Sequence, residues 1–439
     1  MKRYEAYKPT SVEWYPAIPQ GWEWRYLFQI AHEQTIKKPV DEMYPVMTLS
    51  YGEIKRKKNT EAGLVPSNYD SYQMLYKGNI VLRLIDLQND HTSLRTGLVK
   101  ETGIITSAYT CIMPTENPAY IQYLLHSYDT KKVFYGYGGG VRQSIGFKDI
   151  RHLRVPVPPR AEQDQIVRYL DWQVSKINRL IAAKRKEIDA IHDMEHLYID
   201  HVFSEIANQK TIRLKYLVEQ FVDCPHETPE YCKDGDYCVI RTADQDYGYL
   251  RSETLMYRLT ESEYTNRIRR APLNAGDIVY GREGERWGLA CVIPESEKFC
   301  LGQRIMQFVC NKQMVTPEYV MWALNSSYVR NQGILDTMGS TSPHVNISTI
   351  INFRIPYTSR EHQHTLVSKI ECTMQKYRQL CERIENEIQL LHDLRTRLIS
   401  DVVTGQIDVR GIQVPDDEYI NNEITEEEFE EESENNEEE

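Results

Sequence analysis

The sequence lacks the features that mark membrane, secreted and disulfide-bonded proteins. No stretch approaches the roughly 18 consecutive apolar residues of a membrane-spanning helix, and the N-terminus lacks the apolar core of a secretory signal. The nine cysteines are odd in number and include no Cys-x-x-Cys pair, so we expect them to be free thiols. The sequence therefore predicts a cytoplasmic protein that has no membrane partner.

Motifs that hold metals and cofactors are also missing or incomplete. The one candidate metal cluster has a spacing that fits none of the usual zinc patterns, and it consists of Cys224, His226, Cys232 and Cys238. No Gly-x-x-x-x-Gly-Lys-Ser/Thr phosphate loop occurs, and the glycine-rich run from Tyr135 to Gly140 lacks the strand and helix of a nucleotide-binding loop. We therefore expect no metal and no cofactor.

Acidic residues are in excess, but they are concentrated at one end of the chain. The formal net charge is −12, and residues 416–439 contain 14 acidic residues and no Lys or Arg. Such a segment is expected to be disordered. Without it the formal charge is +2, and basic clusters remain at 55–58 and 267–270. Charge alone therefore neither supports nor excludes binding to nucleic acid.

What the sequence does contain is an internal repeat with a register of 200 residues. Residues 153–156 (Leu-Arg-Val-Pro) recur as 353–356 (Phe-Arg-Ile-Pro), and Gln163 recurs as Gln363. Upstream the match continues with a small slip, since residues 78–81 (Gly-Asn-Ile-Val) answer 276–279 (Gly-Asp-Ile-Val). Between these anchors the two halves differ. We infer one unit used twice, with a shared frame and divergent loops.

Each repeat ends in a long segment that predicts a helix. Residues 160–206 and 360–404 contain no Gly or Pro, and apolar residues recur along both at the spacing of a coiled-coil seam. The two stripes comprise Leu170, Val174, Ile177, Ile181, Ile188, Ile191, Tyr198 and Val202, then Ile370, Met374, Tyr377, Cys381, Ile384, Ile388, Leu391, Leu398 and Val402. Because an apolar stripe cannot stay exposed to water, we expect the helices to pack together as an antiparallel coiled coil. At 1.5 Å per residue each helix would be roughly 68 Å long, which suits a spacer.

A strand-rich segment precedes each helix. Short β-branched runs broken by Gly, Pro and Asn predict a mixed globular domain over 1–159 and again over 207–359. The predicted fold class is α+β, with two mixed α/β domains, long helices over 160–206 and 360–408, and a pseudo-two-fold internal repeat. An acidic tail follows over 409–439.

On these motifs the sequence resembles the specificity subunits of type I restriction-modification systems, over nearly all of residues 1–415. Residues 155–163 (Val-Pro-Val-Pro-Pro-Arg-Ala-Glu-Gln) are similar to that family's junction between domain and helix, and residues 398–408 to its closing segment. Residues 18–22 look like its opening, and residues 223–229 like the start of many of its recognition domains. The second junction departs from the pattern, since His362 stands where glutamate is usual.

The resemblance implies a DNA-recognition subunit that is not itself a catalyst. Each globular domain would be a target-recognition domain that reads one half of a bipartite sequence in double-stranded DNA. The helices would set the gap between the halves and dock two methyltransferase subunits, which in turn would recruit the restriction and translocase subunits. Divergent loops on a constant frame suit such a reader, because a few loop side chains read base edges while backbone contacts only position the protein.

Candidate DNA contacts are polar or basic residues on loops beside aromatic residues. In the first domain we predict base contacts by Arg83, Gln88, Asn89, Arg95, Tyr109 and Arg142, and phosphate contacts by Lys55, Arg56, Lys57 and Lys58. In the second domain we predict contacts by Arg241, Arg282, Arg286, Arg304 and His344. Any single residue could instead be a solvated surface charge, and residues 55–58 could be an ordinary basic turn.

Two other functions remain open at this point. The sequence Asn117-Pro118-Ala119-Tyr120 imitates the Asn-Pro-Pro-Tyr motif of amino-methyltransferases, although the repeat has Thr-Pro-Glu-Tyr at 316–319 and no complete cofactor motif is present. A coiled-coil adaptor without a DNA role would also contain long helices. We favour a DNA-recognition subunit, because it also accounts for the two divergent domains.

Overall fold

The structure, a computed structural model, describes residues 2–12, 14–40, 42–50, 52–57, 69–85, 87, 94–137, 145–294, 298–338 and 343–415. The chain divides into two units, Met1–Lys184 with Asn386–Glu439 as unit 1, and Arg185–Glu385 as unit 2. Each unit contains one strand-rich domain together with part of each long helix. Among the described helices, none is both long enough and apolar enough to cross a membrane.

Unit 1 is built around a four-stranded antiparallel sheet, whose strands lie in the order Ala31–Gln34, Thr110–Pro114, Ile80–Leu82 and Thr96–Leu98. Its other strands are Tyr7–Val12, Tyr15–Pro19, Glu23–Tyr26, Met47–Ser50, Glu53–Arg56, Gln73–Leu75, Gly103–Ile105 and Arg154–Val157. Its short helices are Leu27–Gln29, Pro118–Thr130, Val133–Gly136 and Phe147–Ile150. The central strand Ile80–Leu82 is fully buried, as its β-branched sequence predicts.

Unit 2 repeats this sheet with the order Val218–Asp223, Ile305–Cys310, Ile278–Gly281 and Ala290–Val292. Its other strands are Thr211–Arg213, Tyr237–Ile240, Gln245–Asp246, Tyr249–Leu250, Arg258–Leu259, Phe299–Leu301 and Arg354–Pro356. Its short helices are Leu214–Tyr216, Thr242–Asp244, Glu253–Leu255, Glu261–Arg267, Pro317–Asn325, Ser327–Arg330, Asn331–Gly333, Ile334–Thr337 and Ile347–Ile350. The internal repeat predicted from the sequence is thus a repeat of sheet topology.

Two long helices follow the domains, as the periodicity predicts. The first spans Arg160–Ala207 and the second Arg360–Val403. The second helix ends five residues before the predicted boundary at 408. It stops there because Gly405 adopts a left-handed conformation, with φ of +68°, and such a residue terminates a helix.

The two helices run antiparallel within each unit. In unit 1, Nζ of Lys184 lies 2.8 Å from a carboxylate oxygen of Glu387, and Arg395 donates to Asn178 Oδ1 at 2.6 Å. Lys184 lies between Ile181 and Ile188, and Arg395 between Leu391 and Leu398, so these two polar residues interrupt the predicted apolar stripes. The contacts give both of them partners. In unit 2, the end of the first helix shares a core with the start of the second, through Ile199, Phe203, Val367, Ile370 and Met374. The predicted coiled-coil seam is confirmed.

A buried glutamine joins each long helix to its domain. The Gln163 side chain is completely buried, accepts a hydrogen bond from the Asn117 backbone N–H at 3.0 Å, and donates to Pro158 O at 2.9 Å. Gln363 does the same in unit 2, where it accepts from the Thr316 N–H at 3.1 Å and donates to Thr358 O at 2.9 Å. A buried backbone group without such a partner would be costly. The glutamines therefore anchor the start of each helix.

We predict that replacing Gln163 with methionine destabilises the protein by about 2–4 kcal/mol, because the buried Asn117 N–H and Pro158 O would lose their partners. Methionine keeps the size and shape of the side chain, so packing is largely preserved. The measurement is the free energy of unfolding in urea. Gln379→Met, at an exposed position of the second long helix, is the control and should change stability by less than about 0.5 kcal/mol. Equal losses for the two variants would contradict the anchoring role.

Candidate nucleic-acid interface

Several predicted DNA contacts lie together where strand Ile278–Gly281 ends and strand Ile305–Cys310 begins. We call this end of the inner strands, and its counterpart in unit 1, the sheet edge. The chain leaves strand Ile278–Gly281 at Arg282, whose backbone N–H donates to Arg304 O at 3.0 Å and whose carbonyl accepts from Val345 N at 3.0 Å. His344 lies beside Glu283, with its Nδ1 3.1 Å from a Glu283 carboxylate oxygen. Three loops that are far apart in sequence therefore meet at one edge, each with a basic side chain.

Arg282 itself is held by two carboxylates rather than exposed. Its guanidinium lies 3.3 Å from Asp223 Oδ1 and 2.8 Å from Glu283 Oε1, and its side chain is 6% exposed. A base-reading arginine needs its guanidinium fork free for a bidentate contact. In this arrangement the Arg282 guanidinium is paired and buried, so the predicted DNA contact by Arg282 would require these ion pairs to open. Arg282 instead positions the loops that bear Glu283 and His344.

Of the predicted contacts at this edge, Arg304 and His344 have the more exposed side chains. The Arg304 side chain is exposed, and its residue has a positive φ of +66°, which is uncommon outside glycine and is found at functional turns. His344 is 43% exposed. Both side chains can therefore reach a ligand that approaches the edge.

The other two predicted arginines of unit 2 are Arg241, which precedes the short helix Thr242–Asp244, and Arg286, which lies on the same loop as Arg282. Arg241 makes a bidentate ion pair with Asp244, at 3.0 and 3.1 Å, and its guanidinium stacks over the Tyr257 ring at 3.8 Å. Burial lowers the pKa of Arg241, but the hydrogen bond to Asp244 and the attraction to its charge together outweigh burial, so the pKa is raised. Arg286 donates to Gln245 O at 2.7 Å but keeps 41% of its side chain exposed. Of these two, Arg286 has the freer charge.

The equivalent edge of unit 1 has a different composition. Arg83 follows the central strand Ile80–Leu82, is exposed, and is held through its backbone N–H by Arg95 O at 2.9 Å. The structural counterpart of Arg282 is Leu84, because Leu84 O accepts from Ile145 N as Arg282 O accepts from Val345 N. Unit 1 therefore has no arginine at the position where unit 2 has its buried one.

Arg95 is a second predicted contact whose side chain is buried in the structure. Its side chain is 1% exposed, and its guanidinium donates to Arg83 O at 3.0 Å and Ile85 O at 2.7 Å. An arginine committed to two backbone carbonyls inside the domain cannot reach a base edge. Arg95 therefore supports the loop that begins at Arg83. Tyr109 is half-buried, and it packs against a small core cluster that contains Met47 and Val81.

The predicted basic cluster lies on the hairpin of unit 1, on and after strand Glu53–Arg56. Arg56 makes a bidentate hydrogen bond to Glu101, at 2.7 and 2.5 Å, which raises the pKa of Arg56 and lowers the pKa of Glu101. Lys55 lies 3.8 Å from Glu53, whereas Lys57 is exposed. The hairpin is therefore less positive than the sequence suggests. Four predicted contacts, Lys58, Gln88, Asn89 and Arg142, lie outside the described residues.

Sequence reasoning missed the acidic partners of these basic residues. Asp223 and Glu283 hold Arg282, Asp244 holds Arg241, and Glu101 holds Arg56. The local pairs Arg282-Glu283 and Arg241-Asp244 gave a signal, since a carboxylate close in sequence to an arginine in a loop can neutralise it. The pairs of Asp223 with Arg282 and of Glu101 with Arg56 join residues that only the fold brings together.

The candidate metal residues do not form a metal centre in the part of the chain that the structure describes, where no three His, Cys, Asp or Glu side chains are grouped to hold an ion. Cys224 and Cys238 are buried, and burial raises the pKa of both thiols. Both cysteines pack within an apolar core cluster of unit 2.

Comparison with known proteins identifies the family. Residues 53–190 and 223–390 match the family model of the type I restriction modification DNA specificity domain, so the chain belongs to this family, and both repeats contain a copy of the domain. The family resemblance inferred from the sequence is confirmed.

Two curated relatives from Methanocaldococcus jannaschii carry related names. The chain is 21% identical over 285 residues to the type I restriction enzyme MjaVIII specificity subunit, a match that covers 60% of this chain and 64% of that relative. It is 21% identical over 439 residues to the putative type I restriction enzyme MjaX specificity subunit, covering 92% and 97%. The chain thus spans slightly less than two thirds of the first relative and nearly all of the second.

A solved structure supports the same fold. The chain is similar to one in a structure concerned with complex assembly and conformational transition of the type I R-M system, with a TM-score of 0.62 at 14% identity. The match covers 89% of this chain and 99% of the other. The predicted fold class, two repeated mixed domains with long helices, is confirmed.

We predict that Arg282→Met destabilises the protein by about 2 kcal/mol, because Asp223 and Glu283 would lose the cation that compensates their charges. Arg286→Met, four residues later on the same loop, is the matched control and should cost less than about 1 kcal/mol, since the Arg286 side chain is 41% exposed, against 6% for Arg282. Urea unfolding of both variants is the measurement. If Arg286→Met were the more destabilising of the two, the positioning role of Arg282 would be wrong.

Proposed function

We propose that this chain is the specificity subunit of a type I restriction-modification complex, in which each domain reads one half of a bipartite DNA target. The observation that carries the proposal is the repeated sheet edge. The same strand order ends in both units in loops with exposed arginines, Arg83 in unit 1 and Arg304 in unit 2. A common frame with different readers is what two unlike half-sites require.

In this proposal the exposed basic side chains divide the work. Arg83, Arg304 and His344 contact base edges in the major groove, where arginine pairs with guanine. Lys57 and Arg286 contact phosphates, which position the protein but carry no sequence information. Arg282 and Arg95 act through the loops that they hold. The chain works in the cytoplasm, where bacterial and archaeal DNA lies.

We also propose that the chain does not itself transfer methyl groups. The residues that imitate a methyltransferase motif have structural roles in unit 1. Asn117 caps the helix Pro118–Thr130, since its side chain accepts from the N–H groups of Ala119 and Tyr120. The Tyr120 hydroxyl is buried and donates to Pro156 O at 3.0 Å, and Tyr319 makes the equivalent bond to Pro356 O in unit 2. The motif is therefore part of the junction, and catalysis belongs to partner subunits.

We predict that Arg83→Gln and Arg304→Gln each relax one base position, in different halves of the target, at a cost of about 1–3 kcal/mol in affinity for the cognate base. The gap between the halves should stay unchanged in both, because in this proposal the helices set it. The measurement is a map of methylated positions in DNA exposed to the assembled complex.

Lys57→Gln is the control for a phosphate contact. It should weaken binding evenly across sequences and flatten the salt dependence of the affinity. If neither arginine variant altered affinity or sequence preference, an adaptor without a DNA role would be favoured. If both variants relaxed the same half-site, the assignment of one half to each domain would be wrong.

The long helices offer a surface for partner subunits. Besides the buried seam, each helix exposes a second set of apolar side chains, and equivalent positions recur in both repeats. These are Leu180, Met194 and Leu197 on the first helix, and Leu380, Leu390 and Leu394 on the second. Exposed apolar residues at helical spacing are typical of a surface that binds another helix. We propose that two methyltransferase subunits dock on these side chains, one in each unit, and that the restriction subunits join through them. Leu180, Leu390 and Leu394 lie in unit 1, and Met194, Leu197 and Leu380 lie in unit 2.

We predict that the double variant Leu390→Glu and Leu394→Glu lowers affinity for the methyltransferase subunit at least about tenfold, because a carboxylate buried in an apolar interface is costly. Stability should change by less than about 1 kcal/mol, since both side chains are at least half exposed. Titration of the purified chain with its methyltransferase partner gives the affinity. Gln389→Glu, an exposed neighbour, should bind normally, and an equal loss there would indicate a general charge effect.

A further inference from the structure

Unit 2 contains an open groove beside the start of the second long helix. It has a volume of about 710 Å³ and is lined by Tyr198, His364, Thr365, Ser368, Lys369, Cys372 and Thr373. All these residues belong to unit 2. Neither the sheet edge nor the exposed apolar sets described above include any of them.

The same helix face is covered in unit 1. In the 200-residue register, Thr365, Ser368 and Cys372 correspond to Gln165, Arg168 and Trp172. Gln165 donates to the backbone carbonyls of Val409 and Ile412, at 3.1 and 2.8 Å, and Arg168 donates to Val414 O at 3.1 Å. An irregular segment, residues 404–415, which has turns at 404–405 and 410–411, therefore lies along the face that is open in unit 2.

Apolar side chains of this segment complete the cover. Val409 and Val414 are buried in the core of unit 1, and Ile412 packs against it. On the helix side, Tyr169 and Leu398 are buried within the same core. Their counterparts in unit 2 are Lys369, which is exposed, and Tyr198, which is only half-buried.

Chain connectivity explains the difference. In unit 1 the second helix ends at Val403, and residues 404–415 continue from it. In unit 2 the equivalent helix ends at Ala207, and the strand Thr211–Arg213 begins after three residues. Three residues cannot both make this connection and cover the helix face. The groove is therefore open because the connection that follows the first helix is too short to cover this face.

We propose that the groove of unit 2 binds one short segment of a partner polypeptide without regular secondary structure, in the manner in which residues 404–415 lie on the equivalent face of unit 1. The segment has β-branched or larger apolar side chains two or three positions apart, and its backbone carbonyls face the helix. Because the lining residues Thr365, Ser368 and Cys372 are smaller than their counterparts, the segment has bulkier side chains than Val409 and Val414. An acidic residue near Lys369 adds charge complementarity. Each chain has one such site, since the other copy is already filled.

The test uses the intact chain and a fluorescent peptide of residues 404–415 in which V409F and V414F fill the larger groove. We expect saturable binding of one peptide per chain, measured by fluorescence anisotropy. Cys372 is the exposed cysteine among the described residues, so its rate of alkylation by N-ethylmaleimide should fall several-fold when the peptide binds. Alkylation of Cys232, outside the groove, should not change.

Ser368→Trp should fill the groove and weaken peptide binding at least about tenfold. The control Glu382→Trp, an exposed position on the same helix outside the groove, should bind the peptide normally. Absence of binding, two peptides per chain, or equal effects of the two tryptophans would overturn the proposal.

Two further outcomes would also overturn it. If the unaltered peptide bound more tightly than the bulky one, it would be exchanging with the segment in unit 1. If Cys372 were protected in the full chain but not after removal of residues 416–439, the occupant would be the chain's own acidic tail. None of these measurements involves DNA or a methyltransferase, so failure here is distinguishable from failure of the proposed function.

Discussion

The arrangement of each unit depends on one buried hydrogen-bonding side chain at the point where the domain becomes a helix. There the chain has to leave a sheet, pass a proline and start a helix, which exposes backbone groups that neither element can satisfy. Gln163 and Gln363 satisfy them in the same way, since each accepts a hydrogen bond from a backbone N–H and donates to a backbone carbonyl five residues earlier. Because both the oxygen and the nitrogen of each side-chain amide are hydrogen-bonded, the direction of the helix is fixed relative to the sheet of its domain. The positions of the loops at the sheet edge are fixed relative to the helix in the same way.

On that frame the two domains distribute charge differently. Unit 2 places a buried arginine between two carboxylates, so the loops that carry Asp223 and Glu283 are joined by ion pairs of limited exposure. Unit 1 has Leu84 at the equivalent position and relies on Arg95, whose guanidinium bonds to backbone carbonyls. In each unit one buried arginine holds the loop, Arg282 in unit 2 and Arg95 in unit 1. A different arginine is exposed, Arg304 in unit 2 and Arg83 in unit 1. A reader of DNA needs both, since a flexible arginine would lose rotamer entropy and specificity on binding.

The repeat is equally informative where its two copies differ. The same helix face is a completed core in unit 1 and a groove in unit 2, because one copy is followed by a free C-terminal segment and the other by a short connection to the next strand. Duplication thus supplied two similar surfaces, and chain connectivity gave them different neighbours. A duplicated scaffold can in this way acquire a site that is present once.

The sequence by itself determined the repeat, the two long helices and the family, because these depend on spacing along the chain: a 200-residue register, a three- and four-residue stripe, and a junction motif around Gln163. It could not separate exposed arginines from buried ones. Arg282 and Arg304 look alike as loop residues, yet one lies between Asp223 and Glu283 and the other faces solvent. Only the tertiary structure decided this, because the desolvation and pairing of a charge depend on residues that are distant in sequence and adjacent in space.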